Sequence, residues 1–175
     1  IINTSIFKEK YNQTINNLVQ FNKGDSNTSL GIRFELWKSA IYTIPYNPII
    51  GSGFEKRTEL TTQFMKQGKV NLPISFANWH SHNQYLEALS VRGIIGFLGL
   101  IGILLMPLFI FRNNKDNDSH QLSLINQCGI VSIIMMIGYC LSQVMLGHNS
   151  GIIFYSIITS TLLAQSINLY QKVIK

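Results

Sequence analysis

Three long apolar stretches in the second half of the chain limit what it can fold into. Residues 91–111 carry no charge after Arg92, and residues 128–146 and 151–169 carry none at all. Each is about 19 to 21 residues long, and a helix of that length crosses the ~30 Å hydrocarbon core of a bilayer. A buried hairpin in a soluble protein can imitate one such run, but three in succession read as membrane spans. The overall composition, 46% hydrophobic and 13% charged, conceals this division. The chain is expected to be an all-α polytopic membrane protein. Residues 1–90 form an extracytoplasmic, mostly helical loop region, and residues 91–175 supply three transmembrane helices with a cytoplasmic C-terminus.

The short loops set the orientation. Arg112 and Lys115 lie between the first and second runs, Lys172 and Lys175 follow the third, and the hairpin Gly147-His148-Asn149-Ser150 has no Lys or Arg. The positive-inside rule then puts the 112–123 loop and the C-terminus in the cytoplasm. The N-terminal segment goes outside although it holds nine Lys and Arg against six Asp and Glu through Ser90; long translocated segments largely escape the rule. Such charge outside the cytoplasm makes nucleic acid a poor partner and points to phosphate or anionic glycolipid. Cys128 and Cys140 are about 18 Å apart along one helix, beyond disulfide reach, and read as packing residues. The chain opens on Ile1-Ile2-Asn3-Thr4, with no Met and no signal peptide. It reads as the C-terminal part of a longer polytopic protein.

Ahead of the spans, residues 8–23 suit a weak helix, and the turn cluster from Gly24 to Ser29 can cap another over residues 30–44. Arg33, Trp37, Ala40, Ile41 and Ile44 recur there at helical steps and predict one shared face. Pro45 and Pro48 stop that helix, and Gly51-Ser52-Gly53 predicts a flexible turn. A short helix is expected around residues 58–66 and a loop near Pro73. A new helix is expected to start near Ser81 and His82 and run into the first span. Gly93, Gly96, Gly99 and Gly102 make a small-residue stripe along it, expected to pack against a neighbouring helix.

His82 stands out among residues able to do chemistry. In the first turn of a helix, the positive dipole end disfavours its imidazolium, and a neutral imidazole can take a proton from a hydroxyl nucleophile. An interfacial histidine bonded to a loop carbonyl is the competing reading. His80 and His82 form an H-x-H pair, but a third metal ligand at suitable spacing is missing. Arg33 has the bidentate guanidinium that suits phosphate, and Trp37, one turn on, either packs its helix or holds a sugar face. Arg92 is a snorkelling anchor or a grip on a lipid phosphate. His148 and Asn149 belong to a hairpin on the same side as His82. Gly51-Ser52-Gly53 lacks the G-K-[ST] of a phosphate loop, and Glu35, Glu55, Glu59 and Glu87 form no legible carboxylate dyad.

Four groups of residues together carry a resemblance. Arg33-x-x-x-Trp37, Pro48-x-x-Gly51-x-Gly53-Phe54, His80-Ser81-His82-Asn83-x-Tyr85-Leu86 and Gly93-x-x-Gly96 are similar to the O-antigen ligase superfamily. That group includes O-antigen polymerases and protein O-oligosaccharyltransferases. Its motif H-[NSQ]-x9-G-x-x-[GTY] is met by His82, Asn83, Gly93 and Gly96, and the resemblance extends over roughly residues 30–170. It implies a multi-pass enzyme of the bacterial inner membrane that moves glycan from undecaprenyl diphosphate to a lipid A–core sugar hydroxyl in the periplasm, with no metal and no nucleotide cofactor. Carried over, His82 is the base or acceptor-positioning residue and Arg33 the diphosphate ligand. Arg92 is a second candidate for the diphosphate, with Trp37, His80, Asn83 and His148 in support. The family's earlier arginine motif and preceding transmembrane helices have no counterpart in these residues, so the chain alone is expected to be inactive. A polymerase, a protein-glycosylating enzyme and a non-catalytic membrane or transporter module remain the other readings. Transport draws little support from spans whose polar residues, Gln143 and Gln165 among them, are uncharged.

Overall fold

The computed structural model describes residues 4–114 and 119–173. Lys115 and Lys175, used above for orientation, and the opening Ile1-Ile2-Asn3 lie outside the described residues. The architecture is all-helical, with no strand among the described residues. The helices are α1 (Thr4–Asn22), α2 (Ser29–Thr43), α3 (Gly53–Lys66), α4 (Gln84–Asn113), α5 (His120–Ser142) and α6 (Asn149–Val173), with single 3-10 turns at Ile44–Tyr46, Ile74–Phe76 and Met145–Gly147.

The last three helices are long and apolar enough to cross a membrane. They run up and down around Leu100, Leu104, Phe111, Ile133, Met136, Cys140 and Tyr155, and their outer faces are covered with exposed Ile, Leu, Met and Phe. At the far end of α4, Asn114, Asn126 and Ser166 tie all three helices together: Asn114 donates to Ser166 at 3.0 Å, and Ser166 to the Asn126 amide oxygen at 2.6 Å. Such polar links act as glue where apolar burial gives little net drive. Arg112 and Lys172 occupy the last turns of α4 and α6, at this same end. Both cysteines are free.

Two expectations about the spans change. The second starts at His120 and ends at Ser142, ahead of the apolar run on both sides. Ser119 Oγ caps it by accepting from Leu122 N–H, and Gln143 turns to extended backbone (φ −155°, ψ 157°). Half of the glycine stripe, Gly99 and Gly102, has no neighbouring helix on it among the described residues, and α5 packs on the Leu100, Leu104 and Phe111 face instead. A Cβ at Gly99 or Gly102 would meet nothing within 4 Å, and both open onto a groove between α4 and α6.

The first of those glycines does different work. Gly93 has φ 64° and ψ −164°, a region open essentially to glycine alone, and it breaks the regular path of α4. Freed by the break, Ile94 N–H donates to Pro48 C=O at 2.8 Å and Ile95 N–H to Ile49 C=O at 3.2 Å, while Ser52 N–H donates to Ser90 C=O at 3.1 Å. A Cβ on Gly93 would overlap the Ile49 carbonyl, and one on Gly51 the Val91 carbonyl. The Gly51-Ser52-Gly53 segment is therefore a docked turn rather than a flexible one.

Beyond the kink, α2 and α3 sheathe the first turns of α4 around a separate core of Leu36, Leu60, Phe64, Val70 and Leu72. Thr28 caps α2 by accepting from Gly31 N–H, as the turn cluster predicts. The buried face of α2 is Glu35, Leu36, Ser39, Ala40 and Thr43. The expected Arg33–Trp37–Ile41 face is instead half-exposed or exposed, because Ser39 must meet Thr61 on α3 (2.8 Å) and Glu35 must accept from Asn71 N–H (2.7 Å).

Candidate functional site

The chain around His82 is fixed from beneath by an ion pair. Arg57 on α3 and Glu87 on α4, 3% and 2% exposed, meet at 2.9 Å. The second terminal nitrogen of Arg57, Nη2, donates to the Trp79 carbonyl, and the other Glu87 oxygen accepts from Ser81 N–H at 2.8 Å. Ser81 Oγ then donates to Asn83 C=O at 2.8 Å. Burial pulls the Arg57 pKa down and the Glu87 charge pushes it back up. The pair thus sets the backbone on both sides of His80.

Asn83 caps α4, its side-chain oxygen accepting from Tyr85 N–H (3.0 Å) and Leu86 N–H (3.1 Å), while its amide donates to Leu141 C=O at 3.2 Å. His82 therefore precedes the cap and does not lie in the first helical turn. It is the one non-glycine residue with positive φ (50°) among those described, a conformation that costs about 1–2 kcal/mol. Residues held that way gather at functional sites.

Its imidazole is oriented by Gln143, whose side-chain oxygen lies 3.0 Å from Nδ1. That oxygen also accepts from Val144 N–H at 3.1 Å. A backbone N–H can only donate, so the Gln143 atom is an acceptor and Nδ1 of His82 carries the proton. Nε2 is left with a free lone pair. His82 N–H donates to Nδ1 of His80 at 3.2 Å, which puts the His80 proton on Nε2.

The rings cluster. His80 and His82 have centroids 4.3 Å apart and His80 and His148 5.6 Å apart, both edge-on, and Trp79 is 6.3 Å from His82. Asn78, Trp79, His80 and His82 line an open cleft of about 350 Å³. Burial holds the His82 pKa below the usual histidine value, and the nearby His80 and Arg33 charges lower it further, against smaller opposing effects of Gln143 and Glu87. His80 is also lowered, chiefly by burial. The imidazole is thus kept neutral by desolvation and neighbouring positive charge, with no need of a helix dipole. Among the described residues no three His, Cys, Asp or Glu are placed to hold a metal ion.

Of the residues singled out in the sequence, His80, His82 and His148 cluster, and Asn83 caps the helix beside them. Arg33 is half-buried, with no ion-pair partner among the described residues, and close enough for its charge to act on His82. Trp37 is edge-on to Phe34 at 5.5 Å, its indole N–H buried without a partner among the described residues. Arg92 stands apart, its guanidinium 5.8 Å from the Phe54 ring centroid at the mouth of the α4–α6 groove. Sequence reasoning missed Arg57, Glu87 and Gln143. Glu87, a lone carboxylate between Leu86 and Ala88, offers the one legible signal. Gln143 reads as a span residue until α5 is seen to end before it.

A family model described as O-antigen ligase matches residues 2–101, which include the cleft's Asn78, Trp79, His80 and His82, the buried pair and the Gly93 kink. A Haemophilus influenzae protein described as uncharacterized is 37% identical over 150 residues, 85% of this chain and 37% of its own length. An Escherichia coli protein named O-antigen ligase is 26% identical over 102 residues, 58% of this chain and 24% of its own. The chain thus spans little more than a third of the first relative's length and about a quarter of the second's. With more than half of its residues matched by that model, the chain belongs to the O-antigen ligase family.

Proposed function

We propose that this chain carries the transfer site of a glycosyltransferase that moves O-antigen glycan from undecaprenyl diphosphate to a sugar hydroxyl of the lipid A–core. The observation that carries the reading is the fixed tautomer of His82, whose unprotonated Nε2 lies within the range of the unpaired Arg33 charge. In this reading Nε2 removes the proton of the acceptor hydroxyl as its oxygen attacks the anomeric carbon. The bond from that carbon to the diphosphate oxygen breaks, and the diphosphate leaves with the electron pair. Arg33 stabilises the charge that grows on it, and the proton on Nε2 passes to water afterwards. The site faces the periplasm, residues 1–90 lie there, and the spans sit in the inner membrane with Arg112 and Lys172 at the cytoplasmic side. Partner helices preceding this chain complete the enzyme.

The test is to restore the full-length gene to a ligase-deficient bacterium. Polysaccharide-bearing lipopolysaccharide should return with the parent sequence and be lost with His82→Ala or Arg33→Ala. Full activity in both variants sinks the site, and glycan that lengthens while still lipid-linked assigns a polymerase instead.

A further inference from the structure

Between Lys38 and Glu55 the chain carries no charge, and it ends on the loop that docks at the α4 kink. There Tyr46, Ile49, Ile50 and Phe54 are 60%, 61%, 65% and 60% exposed, an apolar stretch that the described residues leave uncovered. Its height is fixed by the backbone bonds from Ile94 and Ile95 to Pro48 and Ile49, which set it level with the first turn of the apolar part of α4. Ile95 and Leu98 are exposed at and just below this level.

Three features favour lipid as the occupant. Exposed backbone in a bilayer must have its polar groups satisfied internally. In this loop Gly51 N–H donates to Asn47 C=O at 2.9 Å, Ser52 N–H donates to α4, the Pro48 and Ile49 carbonyls accept from α4, and Pro45 and Pro48 have no N–H to satisfy. Arg92, with its charge over Phe54, has the geometry of a long cation reaching from an apolar stem to phosphate. Tyr42 and Tyr46 supply the aromatic residues favoured at a membrane–water boundary. We infer that residues 46–54 are inserted into the headgroup and upper acyl region of the bilayer, so that the α2–α3 layer is moored to the lipid surface beside α4.

The experiment places single cysteines in the full chain lacking its own (Cys128→Ala, Cys140→Ala), at Ile50→Cys, Lys69→Cys and Leu98→Cys. Each is labelled with a small environment-sensitive fluorophore and reconstituted into phosphatidylethanolamine–phosphatidylglycerol vesicles with or without brominated acyl chains. All three positions are exposed, so labelling leaves the core intact. Brominated lipid is expected to quench the label at position 50 several-fold more than that at 69, approaching the label at 98, with iodide showing the reverse order. Iodide quenching at 50 equal to that at 69 overturns the proposal by placing the loop in water. A label at 50 that neither quencher reaches also overturns it, because another protein segment then covers the loop.

Discussion

Sixty-one residues separate His82 from Gln143, yet Nδ1 of one lies 3.0 Å from the side-chain oxygen of the other. Gln143 lies beyond residues 2–101 that the family model matches, so the contact needs the turn between α5 and α6 as well. It makes the His82 tautomer a property of the whole bundle.

Gln143→Leu should lower glycan transfer by the full-length enzyme roughly tenfold or more, because Nδ1 and Nε2 then compete for the proton. Gln143→Glu should keep the tautomer and raise the His82 pKa, since a carboxylate favours the imidazolium. Its acid limb of activity should move to higher pH. A purely structural role for Gln143 predicts no such movement, and a pH–rate profile of both variants decides.

The parent profile has a defined sign. A base works unprotonated, and burial, His80 and Arg33 hold the His82 pKa below its usual 6.5. Transfer should therefore be flat through neutral pH and fall only as pH drops below 6.5. Arg33→Gln removes one of those lowering influences, so its acid limb should shift upward while the maximal rate falls. His80 and Glu87 also act on the His82 ring, His148 and Arg57 act on His80, and titration of His80 should add to the same limb.

Either half of the Arg57–Glu87 pair removed alone leaves a buried charge unmatched. Arg57→Ala or Glu87→Ala should cost about 3–5 kcal/mol of stability. Thermal unfolding in detergent checks this, and a loss under about 1 kcal/mol would place water at the pair. Both variants should also free the Trp79–Ser81 backbone that the pair holds.

At the kink, Gly93→Ala should destabilise by about 2–4 kcal/mol, from its backbone region and overlap with the Ile49 carbonyl together. Gly99→Ala should change stability little, because its Cβ enters open space. Equal melting temperatures for the two would contradict the docked turn.

Asn83→Ala should cost about 1–2 kcal/mol through loss of the α4 cap, and Asn83→Ser should recover most of it. The same melting experiment ranks the two.

The all-α class and three spans were legible because runs of about 20 uncharged residues admit few other solutions. The His82-Asn83, Gly93 and Gly96 spacing was equally legible, and it belongs to one helix and its cap. Gly93 lies ten residues beyond the Asn83 cap, so the kink falls about 15 Å down α4 from that cap. What the sequence left undecided was long-range. Arg57 drew no functional reading, Glu87 looked like an unpaired carboxylate, and Gln143 like a span residue. Each acquires its role from a partner 30 or more residues away, and such pairings leave no periodic trace in the chain. Local patterning fixed the helices and the motif. Only tertiary packing decided which nitrogen of His82 is free, because that depends on a donor and an acceptor brought together from opposite ends of two helices.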